Sequence, residues 1–132
     1  MLINDLVTNL LSTHRLDAIA LIPGHSLTYI TGLHFHTSER PVTLIISKDQ
    51  SVLILPELEV AKANQSKIPL HVIPFKDNPA SWPLAFAQAI KYLGLQEARI
   101  GVEPTRMRYQ ELSLLQQSSP GLTFLSGDVL LT

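Results

Sequence analysis

Val42-Thr43-Leu44-Ile45-Ile46-Ser47, then Lys48-Asp49-Gln50, then Ser51-Val52-Leu53-Ile54-Leu55: two β-rich apolar runs are joined by a short polar turn. That pattern predicts an antiparallel hairpin. Upstream, Asp17 to Ile22 is a short apolar run closed by Pro23-Gly24, the form of a strand buried on both faces. Before it, Leu2, Ile3, Leu6, Val7, Leu10 and Leu11 recur at helical spacing and predict an amphipathic helix over 2–13. His14-Arg15 suits the negative end of that helix dipole.

Downstream of the hairpin the rhythm changes. Pro56-Glu57 opens a predicted helix over 57–65, since proline and acids both suit a first turn. Leu70 to Pro74 reads as a strand. Asn78 can cap a helix carrying the stripe Trp82, Phe86, Ala89, Ile90 and Leu93, which Gly94 ends. Trp82 and Phe86 therefore read as core. Arg99 to Glu103 is another strand. Pro104-Thr105 opens a helix to about Gln117 with Tyr109, Leu112 and Leu115 inward, and Leu122 to Leu125 is a last strand. The hairpin supplies antiparallel pairing and the βαβ crossovers supply parallel pairing. The fold class is α/β: one mixed sheet of five to six strands with helices on both faces. The ribonuclease H-like fold has this order.

The length of 132 residues suits one domain with its own core. A net charge of −1 without a basic run argues against an electrostatic nucleic-acid binder. The lack of cysteine excludes disulfides, thiolate zinc sites and cysteine nucleophiles, and fits a cytoplasmic location. Neither a targeting segment nor the roughly 18 to 20 apolar residues of a membrane span is present, so no membrane is expected as a partner. Ser126-Gly127-Asp128 reads as a turn, after which Val129-Leu130-Leu131-Thr132 starts an apolar stretch and stops. A terminus is more often polar and frayed, so the expectation is a chain cut from a longer one at a domain boundary.

The fold order invites a nuclease reading, but two-metal chemistry needs several carboxylates on one sheet edge. The first strand offers only Asp17, at its entrance. His34-Phe35-His36 can present two imidazoles to one metal if it is extended. Glu39 is the only further ligand nearby. Glu57 and Glu59 fit helix-dipole complementarity. Glu103, at a strand end, reads as a local cap or pair. Ser26 and Ser38 have histidine neighbours but no nucleophile elbow. What remains is the loop His34 to Arg40, set between two apolar strands and holding Thr37, Ser38, Glu39 and Arg40 beside its histidines. Such dense polar chemistry on a connection points to a ligand or partner, against the plainer reading of a solvated loop.

Three stretches carry a family resemblance. They are Asp17-Ala18-Ile19-Ala20-Leu21, Ser26-Leu27-Thr28-Tyr29-Ile30-Thr31-Gly32-Leu33, and Glu39-Arg40-Pro41. Leu55-Pro56-Glu57-Leu58-Glu59 and Arg99-Ile100-Gly101-Val102-Glu103 extend it over essentially the whole chain. The chain resembles the N-terminal domain of the creatinase/prolidase family, which includes Xaa-Pro dipeptidases, aminopeptidase P and creatinase. The resemblance implies a ribonuclease H-like, non-catalytic domain over residues 1–132, followed by a pita-bread catalytic domain. That second domain holds a dinuclear divalent metal site of two Asp, one His and two Glu, so no cofactor or catalytic residue is expected in this chain.

In dimeric members the N-terminal domain packs against the partner's catalytic domain, and the loop after the Thr-Gly phrase approaches the partner's active-site mouth. The resemblance thus implies a homodimer, a peptide substrate, and His34, His36, Ser38, Glu39 and Arg40 as substrate-entrance or partner-facing residues. Some prolidases carry an acid at the place of His36 and a histidine at that of Ser38, so this chain departs from them there. Arg40 can grip a carboxylate and Glu39 an ammonium, or the two can pair with each other or fix the loop to the sheet. The expected role is an accessory domain of an Xaa-Pro metallopeptidase. The alternatives are a peptide- or protein-binding module without peptidase activity, and the N-terminal domain of a creatinase-like amidinohydrolase.

Overall fold

The hairpin forms as the sequence predicts, and the sheet is built around it. A computed structural model describes residues 2–127. Strand β2 (Thr43–Ser47) pairs antiparallel with β3 (Ser51–Pro56), Thr43 opposite Ile54 and Ile46 opposite Ser51. On its other side β2 pairs antiparallel with β1 (Ala18–Leu21). Strand β4 (His71–Phe75) adds parallel to β3, while β5 (Arg99–Val102) and β6 (Thr123–Ser126) add parallel beyond β1. The six-stranded order is β4-β3-β2-β1-β5-β6. Only β2 runs against the rest. The carboxyl ends of five strands and the amino end of β2 therefore lie along one edge, and the loop leading into β2 must cross it.

Alternation along the strands divides the core. Ala18, Ala20, Ile45, Ile54 and Ile100 face α4 (Trp82–Leu93) and α5 (Tyr109–Ser118), where Phe86 is fully buried. Ile19, Leu21, Leu44, Leu53 and Leu55 face α1 (Leu2–His14), α2 (His25–Thr31) and α3 (Val60–Ala63). Helices thus cover both faces. Each fully buried Leu or Ile contributes about 1.5–3 kcal/mol, so the centre of the sheet is where stability concentrates. Val7 and Leu11 carry the inner stripe of α1; the side chains of Leu2, Ile3 and Leu6 lie outside the described residues. So does the stretch from Asp128 to Thr132, where a turn and an apolar continuation are predicted.

Several elements differ from the sequence reading. The predicted helix over 57–65 is a 3₁₀ turn, Glu57–Glu59, running into the single turn of α3. Asn78 caps as predicted, its side chain accepting from the Ala80 amide, but through a 3₁₀ turn, Pro79–Ser81, that precedes α4. Trp82 is only partly buried, edge-on to Phe75. The last helix starts at Tyr109, not at Pro104. The Glu103 carbonyl accepts from the amides of Arg106 and Met107, closing a turn that ends before the helix begins. Tyr109 is 81% exposed, whereas Glu111, Leu114 and Leu115 are buried. Leu115 faces inward as expected and Leu112 is partly buried, while Glu111 takes the inward place expected of Tyr109, because Arg108 pairs with its carboxylate.

The largest difference is α2. The sequence reading sets the polar loop between two apolar strands, yet His25–Thr31 is helical. Leu27 and Ile30 are spaced to bury one helical face on the sheet, and that packing outweighs the β-leaning content of the segment.

Candidate functional site

The Thr-Gly phrase is a helix stop. Gly32 adopts φ 77°, the left-handed conformation, and its amide donates to the Thr28 carbonyl at 2.7 Å. The Thr31 hydroxyl donates to the Leu27 carbonyl at 2.8 Å and accepts from the Leu33 amide at 3.0 Å. The Thr28 hydroxyl donates to the Leu33 carbonyl at 2.8 Å. Both backbone groups of buried Leu33 are thereby satisfied without a strand partner. The Lys67 amide donates to the Thr31 carbonyl, and the Lys67 stem lies over Gly32. This junction fixes where the loop leaves α2.

From there His34 to Arg40 runs without regular structure to β2. Four side chains from distant segments meet it. Lys62 donates to the His34 carbonyl at 3.0 Å, sits 4.8 Å from the Phe35 ring centroid and pairs with Glu59. Arg108 donates to the Ser38 carbonyl, and Gln110 to the Glu39 carbonyl at 2.8 Å. Arg40 makes a two-pronged pair with Asp77, at 2.8 and 2.7 Å. Those hydrogen bonds raise the Arg40 guanidinium above its usual range and hold the Asp77 carboxyl below the usual carboxylate range. The Ser38 hydroxyl accepts from the Arg40 amide.

His34, His36, Thr37, Ser38 and Glu39 have exposed side chains, while Arg40 is half-buried beside Asp77. Of the two local arrangements the sequence allowed for Arg40, attachment to the body of the domain is present, through Asp77. Among the described residues there is no group of three or more His, Cys, Asp or Glu that can hold a metal ion. Asp17 sits at the opposite edge from the loop, its carboxylate accepting from the Arg99 amide at 2.7 Å, which tethers β1 to β5. Glu103 accepts from the Ser26 hydroxyl at 2.6 Å, joining the start of α2 to the end of β5. Glu57 is exposed.

The groups that hold the loop escape sequence reasoning. Lys62, Asp77, Arg108 and Gln110 are 28 to 71 residues from their loop contacts. The one local signal is the three-residue spacing of Arg108 and Glu111 at a helix start, which suits an ion pair.

The same arrangement of sheet and helices occurs in solved structures. An N-terminal domain of an Xaa-Pro dipeptidase from Lactobacillus brevis superposes with a TM-score of 0.83 at 19% identity, over 99% of this chain and 98% of that one. Residues 5–131 match the creatinase/prolidase N-terminal domain as a family. The chain belongs to that family. A proline dipeptidase from Streptococcus pneumoniae TIGR4 matches this creatinase/prolidase N-terminal domain with a TM-score of 0.77 at 24% identity, over 96% of this chain and 91% of that one. A dipeptidase from Pyrococcus horikoshii OT3 matches at 26% identity with a TM-score of 0.78, over 97% of this chain. This chain spans 35% of that dipeptidase. No curated protein sequence matches. Among the described residues no helix is long and apolar enough to cross a membrane.

Proposed function

We propose that this chain is the non-catalytic N-terminal domain of a cytoplasmic Xaa-Pro metallopeptidase, and that the loop His34 to Arg40 forms part of the rim of a substrate entrance. The observation that carries the reading is the way the loop is presented. Its backbone is attached to the domain at three carbonyls, while the side chains of His34, His36, Ser38 and Glu39 point to solvent at the carboxyl edge of the sheet. In a homodimer that edge faces the catalytic domain of the second subunit. Glu39 offers a charge for a peptide ammonium, and the histidine ring nitrogens offer hydrogen bonds. Arg40, joined to Asp77, sets the outer border of the rim. The dinuclear metal site and its five ligands belong to a second domain of the protein.

Two preparations test this reading: the purified 132-residue chain, and the protein encoded by its complete gene, each with Mn²⁺ and an Xaa-Pro dipeptide. The chain alone is inactive and the complete protein cleaves. Metal-dependent cleavage by the chain alone overturns the non-catalytic assignment. A complete protein that binds peptides without cleaving them overturns the peptidase assignment in favour of a binding module. Cleavage of creatine instead favours an amidinohydrolase.

A further inference from the structure

The start of α5 places two polar side chains, Arg108 and Gln110, against the loop, with a fully buried carboxylate, Glu111, behind them. The Glu111 carboxylate, with no exposed surface, accepts from both Nε and Nη2 of Arg108 and, at 3.5 Å, from Nε2 of Gln110. The remaining arm of Arg108, Nη1, reaches the Ser38 carbonyl, and Gln110 reaches the Glu39 carbonyl. One buried anion thus orients two donors onto two successive carbonyls of the loop. A buried carboxylate is costly unless it is paired and hydrogen-bonded, so this placement is stable only with Arg108 in position. Arg108 in that position has one arm left over, aimed at the loop.

We propose that Glu111 anchors a two-pronged clamp, Arg108 and Gln110, that holds the loop by its backbone and so separates its shape from its side-chain chemistry. Arg108, Gln110 and Glu111 are positioning residues. The loop is then a preset rim, not a lid that closes over substrate. Because the clamp takes carbonyls, the side chains at 36 and 39 can change without changing the path of the chain. That consequence for selectivity rests on the proposed entrance role, whereas the clamp itself does not.

Backbone ¹⁵N relaxation on the purified 132-residue chain tests the clamp. In the parent, residues 37–40 give order parameters near those of the sheet, about 0.85, against below about 0.6 for a flexible segment. Arg108→Lys still neutralises Glu111 but has no second arm for Ser38. Combined with Gln110→Ala, it drops residues 37–39 below about 0.6 while sheet amide shifts stay close to the parent. His36→Ala and Glu39→Gln leave the order parameters unchanged. Glu111→Gln is a second route: it loosens Arg108 and lowers the same three values. Loop order unchanged in both the double variant and Glu111→Gln overturns the clamp, and so does loss of loop order in His36→Ala or Glu39→Gln. If the clamp holds and rim variants in the complete protein leave substrate selectivity unchanged, the entrance role fails and the clamp stands.

Discussion

Gly32→Ala probes the junction from which the whole loop is aimed. Its φ of 77° places an L-residue in the left-handed region, which costs about 1–2 kcal/mol. A methyl group there also meets the Lys67 stem, 2.9 Å from Cε and 3.1 Å from Cγ. Those atoms belong to a flexible, exposed side chain that can move aside, so the backbone strain dominates the loss. At roughly 4 °C per kcal/mol for a domain of this size, the melting temperature falls by about 4–8 °C. Calorimetry and urea unfolding measure it. Adding Lys67→Ala separates the two causes, because truncating the lysine relieves contact but leaves the strain, and recovers little. Gly24→Ala is the control. Its backbone is extended, φ 162°, and a methyl group meets only the Arg106 side chain, 3.0 Å from Nη1. Gly32→Ala melting like the parent, full recovery with Lys67→Ala, or an equal loss in Gly24→Ala refutes backbone strain as the cause.

Two further outcomes follow from the same region. Thr31→Val keeps the shape but removes the hydroxyl that serves Leu27 and Leu33, leaving the buried Leu33 amide without a partner, and costs about 1–3 kcal/mol, whereas Thr31→Ser stays close to the parent in a urea melt. The Arg40–Asp77 pair responds to acid. The folded carboxyl of Asp77 is held below its unfolded value, so the pair is fully present above an ordinary aspartate pKa of about 3.9 and is lost as pH falls through the lower folded value. The Arg40 Nε–H proton resonance, followed from pH 6 to 2, keeps its bonded position past pH 4 and then moves; Asp77→Asn lacks that transition, and a parent transition at an ordinary carboxylate pH contradicts the pairing.

The sheet was legible in the sequence because hydrophobic period and turn chemistry agree there. The Val42–Leu55 hairpin, the buried run at Ala18–Leu21 and the Gly94 stop are local signals, and the structure follows each. Helix α2 was not legible by pattern. Leu27-Thr28-Tyr29-Ile30 favours a strand by composition, and what makes it helical is burial of Leu27 and Ile30 on a sheet formed by other segments. The start of α5 was misplaced for a related reason. Pro104-Thr105 looks like a helix opening, but Glu103 is tied to Ser26, a residue 77 positions earlier. For the site, sequence identified the polar loop yet not its supports, because Arg40 reaches Asp77 and Arg108 reaches Ser38 through tertiary contacts that no local spacing encodes. Glu111 shows the same limit. A glutamate in a helix reads as solvent-facing until its partner and its neighbours in space are known.

In the proposed role, the His34–Arg40 loop shapes what a peptidase accepts without taking part in the chemistry. The most direct measurement is the ratio of kcat/KM values for two Xaa-Pro dipeptides that differ at Xaa, determined for the protein encoded by the complete gene and for its Glu39→Gln and Arg40→Ala variants. In that role the ratio shifts severalfold in at least one variant while the melting temperature stays close to the parent. An unchanged ratio accompanied by a lowered melting temperature contradicts it and makes the loop a structural element alone.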